Sequence, residues 1–176
     1  MTRGQPASRN AAQKAGKARR RCYWLMKSEP DVYGIDHLAA EGEATWDGVR
    51  NYTARNHMRS MGVGDLVLFY HSNAKPPGVA GVARVSREAY PDHTQFDRKS
   101  PYFDPKSSKD APRWEMVDVA FVEKLPRFVP LDELKTDDAL EGMAVRQKGQ
   151  RLSVQPVTAA HFRRVLRLGQ AATRLT

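Results

Sequence analysis

From Cys22 onward, apolar and polar positions alternate in short bursts separated by glycine, proline and Asx turns, the pattern of a domain built mainly of short strands. Cys22-Tyr23-Trp24-Leu25-Met26-Lys27 reads as an aromatic and apolar strand, turned by Glu29-Pro30-Asp31. Gly64-Asp65 opens a second strand, Leu66 to His71. Val79 to Tyr90 is a third, rich in small residues, where Gly78 and Gly81 mark tight backbone passage. Trp114 to Lys124 puts Val117, Val119 and Phe121 on one face, and Leu152 to Val157 is the last strand. Helical spacing occurs from Ile35 to Ala40, stopped by Gly42, and from Tyr52 to Met61, with Ala54, Met58 and Met61 inward and Gly62 at the end. Leu131 to Leu134 is a short helical turn. Thr158 caps a final helix whose Phe162, Val165 and Leu166 face inward and which stops at Gly169. Trp46 to Asn51 has neither period and reads as loop.

Strands outnumber helices, and the helices do not alternate with them regularly. That excludes a doubly wound parallel sheet and predicts an α+β fold, a small curved sheet or barrel with flanking helices. Residues 91–112 hold Pro91, Pro101, Pro105 and Pro112 and form a long irregular stretch, the kind that is functional or mobile.

The chain has 176 residues, 40% of them hydrophobic, which suits one domain with a modest core. Its longest apolar run, Leu66 to Tyr70, is too short to span a bilayer. Cys22 is the sole cysteine, which rules out an internal disulfide or a cysteine-based zinc cluster. Without an N-terminal apolar segment, the expectation is an intracellular protein, cytoplasmic in a bacterium and nuclear in a eukaryote. The net charge of +9 is uneven: residues 1–21 carry seven bases and no acid, leaving residues 22–176 with 22 bases against 20 acids. The arm, poor in large apolar side chains, is expected to be a disordered basic tail, and the domain itself is nearly neutral.

Three segments are too polar and too aromatic for ordinary packing. They are Trp24-Leu25-Met26-Lys27-Ser28-Glu29-Pro30, Trp46-Asp47-Gly48-Val49-Arg50-Asn51-Tyr52-Thr53-Ala54-Arg55-Asn56 and Phe69-Tyr70-His71-Ser72-Asn73-Ala74-Lys75-Pro76-Pro77-Gly78. With Ser100-Pro101-Tyr102-Phe103-Asp104-Pro105, Pro112-Arg113-Trp114 and Arg151-Leu152-Ser153-Val154-Gln155-Pro156, they resemble the signatures of the EVE domain family in their order along residues 22–168. The resemblance implies a PUA-like mixed β-barrel with flanking short helices over residues 22–170, followed by a short tail at 171–176. It implies binding of nucleic acid with modified bases, notably modified cytosine in DNA, as the related YTH domains hold a methylated base in an aromatic cage. It places Trp46 as the pocket aromatic and Lys27 and Ser28 on the polar strand end beside it.

A base swung from its stack needs a π-face and hydrogen-bonding partners for its Watson–Crick edge. Trp46 supplies the first; Ser28, Asn51 and Asn73 are candidates for the second, with Tyr52, Tyr70 and His71 completing the pocket and Tyr70 available to a methyl group. Lys27, Arg50, Arg55, Lys75 and Arg151 are candidates for flanking phosphates. Trp46→Ala is expected to abolish discrimination and leave the fold intact, and removal of residues 1–21 to weaken affinity and flatten its salt dependence without altering the modification preference. Plainer readings stand beside these: Trp24 and Trp114 as core, Asn51 as a helix cap, Arg55 and Arg59 as a solvated helix face, Asn73 as a turn residue. RNA is the alternative ligand. A small-molecule or nucleotide-processing enzyme with His71 and Asp47 as acid and base is the alternative class, although no nucleophile elbow or phosphate loop occurs. No cofactor and no metal is expected, Asp92, His93, Asp97 and Asp104 lacking a ligand spacing; a monomer is expected.

Overall fold

The computed structural model describes residues 18–176. Strand β1 (Tyr23–Ser28) leads through the short helices α1 (Pro30–Tyr33) and α2 (Ile35–Glu41) into β2 (Glu43–Trp46). Helix α3 (Tyr52–Ser60) precedes β3 (Leu66–His71), β4 (Gly78–Pro91) and β5 (Glu115–Pro130). Helix α4 (Leu131–Thr136), two 3-10 turns, β6 (Val154–Val157) and α5 (Ala159–Leu168) complete the order. The strands form one sheet, β2-β5-β4-β3-β1-β6, antiparallel except where β1 lies beside β3.

The α+β class is as expected, but the barrel is not closed. Strands β2 and β6, of four residues each, end the sheet without pairing to one another. The central pair β4–β5 slips register at several points, which strengthens its coil. Helix α3 packs against β4 and β5 and also against β6 at the far edge, so it fills the seam between the sheet's two ends. Gly81 lets α2 approach: a Cβ there would collide with the Ile35 side chain.

Two apolar layers flank the sheet, and strand parity sorts residues between them. Trp24, Met26, Val67, Phe69, Val117 and Val119 join Trp46 and Met58 of the inner layer. Leu25, Leu66, Leu68, Tyr70 and Val82 join Phe162, Val165 and Leu166 of α5 in the outer one.

The folded unit extends at both ends beyond the expected boundaries. Residues 1–17 of the basic arm lie outside the described residues. Arg19, however, donates to the buried Asp65 at 2.6 and 3.0 Å and to the Ser60 carbonyl at 2.9 Å. At the other end, Glu123 accepts from the backbone N–H groups of Ala172 and Thr173 and from the Thr173 hydroxyl, so residues 171–173 are part of the fold.

Candidate nucleic-acid interface

An open cleft of about 1250 Å³ lies at the ends of β1 and β2. Ser28, Tyr33, Trp46, the Asp47–Arg50 loop, Asn73 and Arg151 line it, together with Tyr102 from the long segment between β4 and β5. On β1, Ser28 shares the inner face with Trp24 and Met26, and its hydroxyl donates to the Tyr33 carbonyl at 2.6 Å. Trp46 ends β2 opposite Val117. Its indole is only 9% exposed and meets Phe69 edge-on, 5.3 Å between centroids, so one edge borders the cleft and the rest belongs to the inner core. The expected loop at Trp46 is therefore partly strand, hidden in the sequence because β2 is short and both Glu43 and Thr45 face solvent.

The loop after β2 is held by Asp92, which is fully buried. Its carboxylate accepts from the Gly48 N–H at 2.8 Å, Arg50 Nη1 at 2.9 Å, and the Thr94 N–H and hydroxyl at 2.8 and 2.5 Å. Burial alone would raise its pKa; the hydrogen bonds from Thr94, Arg50 and Gly48 outweigh that and hold it below the ordinary aspartate value. Arg50 also donates to the Tyr102 carbonyl at 3.0 and 2.8 Å and to Thr94 at 2.9 Å. Its guanidinium lies 5.6 Å from the Tyr102 ring centroid and 5.5 Å from that of Trp114. The Tyr102 ring rests on Gly48, whose φ of +74° and lack of a Cβ make room for it. Asp47, exposed at the cleft, has its carboxyl raised by the surrounding protein and by Asp92.

The other expected site residues separate. Lys27 lines the cleft, but its ammonium donates to the Gln150 carbonyl at 2.8 Å, and burial lowers its pKa. Tyr70 does not line it: one position after Phe69, it falls by parity on the outer face, 3% exposed, where burial pushes its hydroxyl up to about 12. Asn51 caps α3, its side chain accepting from the Ala54 N–H at 3.0 Å. Tyr52 stacks on Trp114 at 4.8 Å and Arg55 lies over Tyr52 at 4.7 Å, both outside the cleft. His71 accepts from the Ile35 N–H at 3.1 Å, packs near Phe69 and Phe128, and is not brought to Asp47. Lys75 is exposed beyond the cleft, while Asn73 enters its lining with a φ of +50°, which asparagine tolerates. Arg50 is already committed to Asp92 and Tyr102, so its geometry is that of a loop pin rather than a free phosphate ligand. Arg151, by contrast, lines the cleft with no ion-pair or hydrogen-bond partner for its side chain among the described residues.

A model of the EVE domain matches residues 22–168, most of this fold. The chain belongs to the EVE domain family. Mouse thymocyte nuclear protein 1 is 47% identical over 165 residues, covering 83% of this chain and 73% of the mouse protein. A solved structure of human THYN1 in complex with DNA containing 5-methylcytosine is 46% identical, covers 86% of this chain and 99% of that one, and superposes with a TM-score of 0.79. A Pseudomonas putida protein of known structure is 51% identical over 84% of this chain and 99% of its own, with a TM-score of 0.81. A yeast YTH domain, 13% identical with a TM-score of 0.52, shares the fold.

Sequence reasoning about this EVE domain missed Tyr33 and Tyr102 as lining residues and named Asp47 only as an acid–base candidate. Only Tyr102 carried a local signal, an aromatic inside a proline-rich polar segment. Among the cleft's lining residues there is neither histidine nor cysteine, and among the described residues no cluster of His, Cys, Asp and Glu suits a metal. No described helix is long and apolar enough to cross a membrane.

If Arg50 pins the loop, Arg50→Gln leaves the buried Asp92 charge without its counterion. We expect a loss of about 2–3 kcal/mol in urea unfolding and faster amide exchange across residues 97–104. Unchanged exchange there would remove the pin.

Proposed function

We propose that this EVE domain binds DNA and recognises a modified cytosine turned into the cleft between Ser28, Trp46 and Tyr102. The observation that carries the reading is the 46% identical human THYN1 structure bound to DNA with 5-methylcytosine, whose fold this chain reproduces over 86% of its length. The cleft chemistry agrees. The Trp46 edge and the Tyr102 ring, 41% exposed, offer aromatic surface to a base that has lost its stacking partners. Asp47 can accept from the cytosine N4 amino group, and Ser28 and Asn73 add small polar contacts on the base edge. Arg151, without a side-chain partner among the described residues, suits a flanking phosphate. The role is recognition, with no reaction required of these groups. In a eukaryotic cell such a reader resides in the nucleus.

The test is fluorescence-polarisation binding of the full chain to matched DNA and RNA oligonucleotides carrying cytosine, 5-methylcytosine or 5-hydroxymethylcytosine, at two salt concentrations. A salt-resistant preference for one modified DNA base is the expected result; equal affinity for all would sink the reading. Tyr102→Ala, which removes an exposed ring and leaves its backbone contacts, should weaken modified DNA roughly 5- to 150-fold with little change in urea stability.

A further inference from the structure

We propose that a second cleft, between α5 and the C-terminal segment, binds the sugar–phosphate backbone of nucleic acid away from the base-recognition cleft. This cleft, about 540 Å³, is lined by Arg163, Arg167 and Arg174 over an apolar floor of Leu166, Ala171 and Leu175, with no acidic residue in its lining. Six other arginines, Arg19, Arg50, Arg59, Arg113, Arg127 and Arg164, each meet a carboxylate. Among the described residues, Arg163 and Arg167 have neither an ion-pair nor a side-chain hydrogen-bond partner. Arg174 donates only to the carbonyls of Ala171, Ala172 and Thr173, which fix its guanidinium without cancelling its charge. The carboxylate of Glu123, which accepts three hydrogen bonds from Ala172 and Thr173, lies outside the lining but close enough to Arg174 for their charges to attract.

Arg163 and Arg167 sit one helical turn apart on α5, which places two planar donor forks side by side. Arg163 and Arg167, without an ion-pair partner among the described residues, converge with Arg174 on one concavity, which favours an anion with several charges. The basic arm indicates which one. Arg21 donates to the Thr176 hydroxyl at 3.2 Å, so the acid-free arm, with seven bases in residues 1–21, joins the domain beside the segment that lines this cleft. Arg21 thereby adds a further positive charge beside the cleft, an arrangement suited to a repeating phosphate backbone rather than to an isolated anion. Because α5 covers the outer face of the sheet, this contact falls on a different stretch of nucleic acid from the base in the Trp46 cleft. The inference shares with the proposed reader role only the premise of a nucleic-acid ligand.

The full chain carrying Arg163→Gln and Arg167→Gln is titrated with a 30-base-pair duplex, with and without one 5-methylcytosine, across a salt series. The slope of log affinity against log salt should flatten by about 2, with the ratio between methylated and unmethylated duplex unchanged. Arg163→Lys with Arg167→Lys should restore the slope. An unchanged slope in the glutamine variant, or a change in the methylation ratio, would overturn the assignment. So would competition by polyglutamate that is lost in the glutamine variant while its DNA slope persists, since that would make the site one for acidic peptide. A wild-type ratio of one would refute the reader role and leave the slope measurement intact.

Discussion

Trp46→Ala should lower the stability of the domain by about 3–5 kcal/mol, measured as a shifted urea midpoint with the m-value unchanged. The side chain is 91% buried, packs edge-on against Phe69 and contacts an inner layer that also holds Met58 and Val117. Truncation leaves a cavity at the end of β2, a four-residue strand in which Trp46 is the one buried side chain. This corrects the expectation that the variant would keep its fold: Trp46 is a core residue at the cleft's edge, and a loss of binding in Trp46→Ala would report unfolding as much as recognition. A stability change below 1 kcal/mol would show that the indole is held by the cleft and not by the core. Tyr102, exposed and attached through its backbone carbonyl, is the position that separates the two roles.

Asp65→Ala should cost a similar amount, about 3–5 kcal/mol, because it leaves the Trp24, Cys22 and Gly62 N–H donors without their acceptor and takes the partner from a half-exposed Arg19. The fully buried carboxylate accepts from Arg19, from the Cys22 N–H at 2.9 Å, from Trp24 Nε1 at 2.9 Å and from the Gly62 N–H at 3.1 Å. Burial would raise its pKa, but hydrogen bonds from Arg19, Trp24, Cys22 and Gly62 together pull it below the ordinary value. A depressed folded pKa contributes stability that is complete above the unfolded value of about 3.9 and is lost as pH falls through the folded value. Wild-type stability should therefore fall steeply below about pH 4, and Asp65→Asn should flatten that fall; an identical acid limb in both proteins would remove Asp65 from its cause. The same geometry refines the arm experiment. Deleting residues 1–21 takes Arg19 from this carboxylate as well as removing charge, so a truncation meant to isolate salt-dependent affinity should begin at Ala18.

Much of the architecture was legible because burial writes itself into periodicity. The short apolar runs in Tyr23–Ser28 and Leu66–His71, the spacing of Ala54 and Met58, and Phe162, Val165 and Leu166 after the Thr158 cap all mark elements the structure contains. The family, too, was legible, since its motifs are long contiguous strings. Where the reading stopped was at relations between segments. Periodicity alone put Tyr70 beside His71 and Asn73 in one segment, whereas the sheet turns Tyr70 to the α5 side; the parity with Phe69 held that information, but only once Phe69 was known to face inward.

The chain by itself determined the α+β class, its main strands and helices, the basic arm and membership of the EVE domain family, because these depend on local pattern and on strings of neighbouring residues. Tertiary structure alone decided that Asp92 from one loop pins Arg50 of another, that Tyr102 lies over Gly48 in the cleft, that the sheet stays open with α3 in its seam, and that Arg163, Arg167 and Arg174 converge. The reason is physical: hydrogen bonds, ion pairs and shared cavities depend on distances in space between residues far apart along the chain, and local periodicity carries no record of those distances.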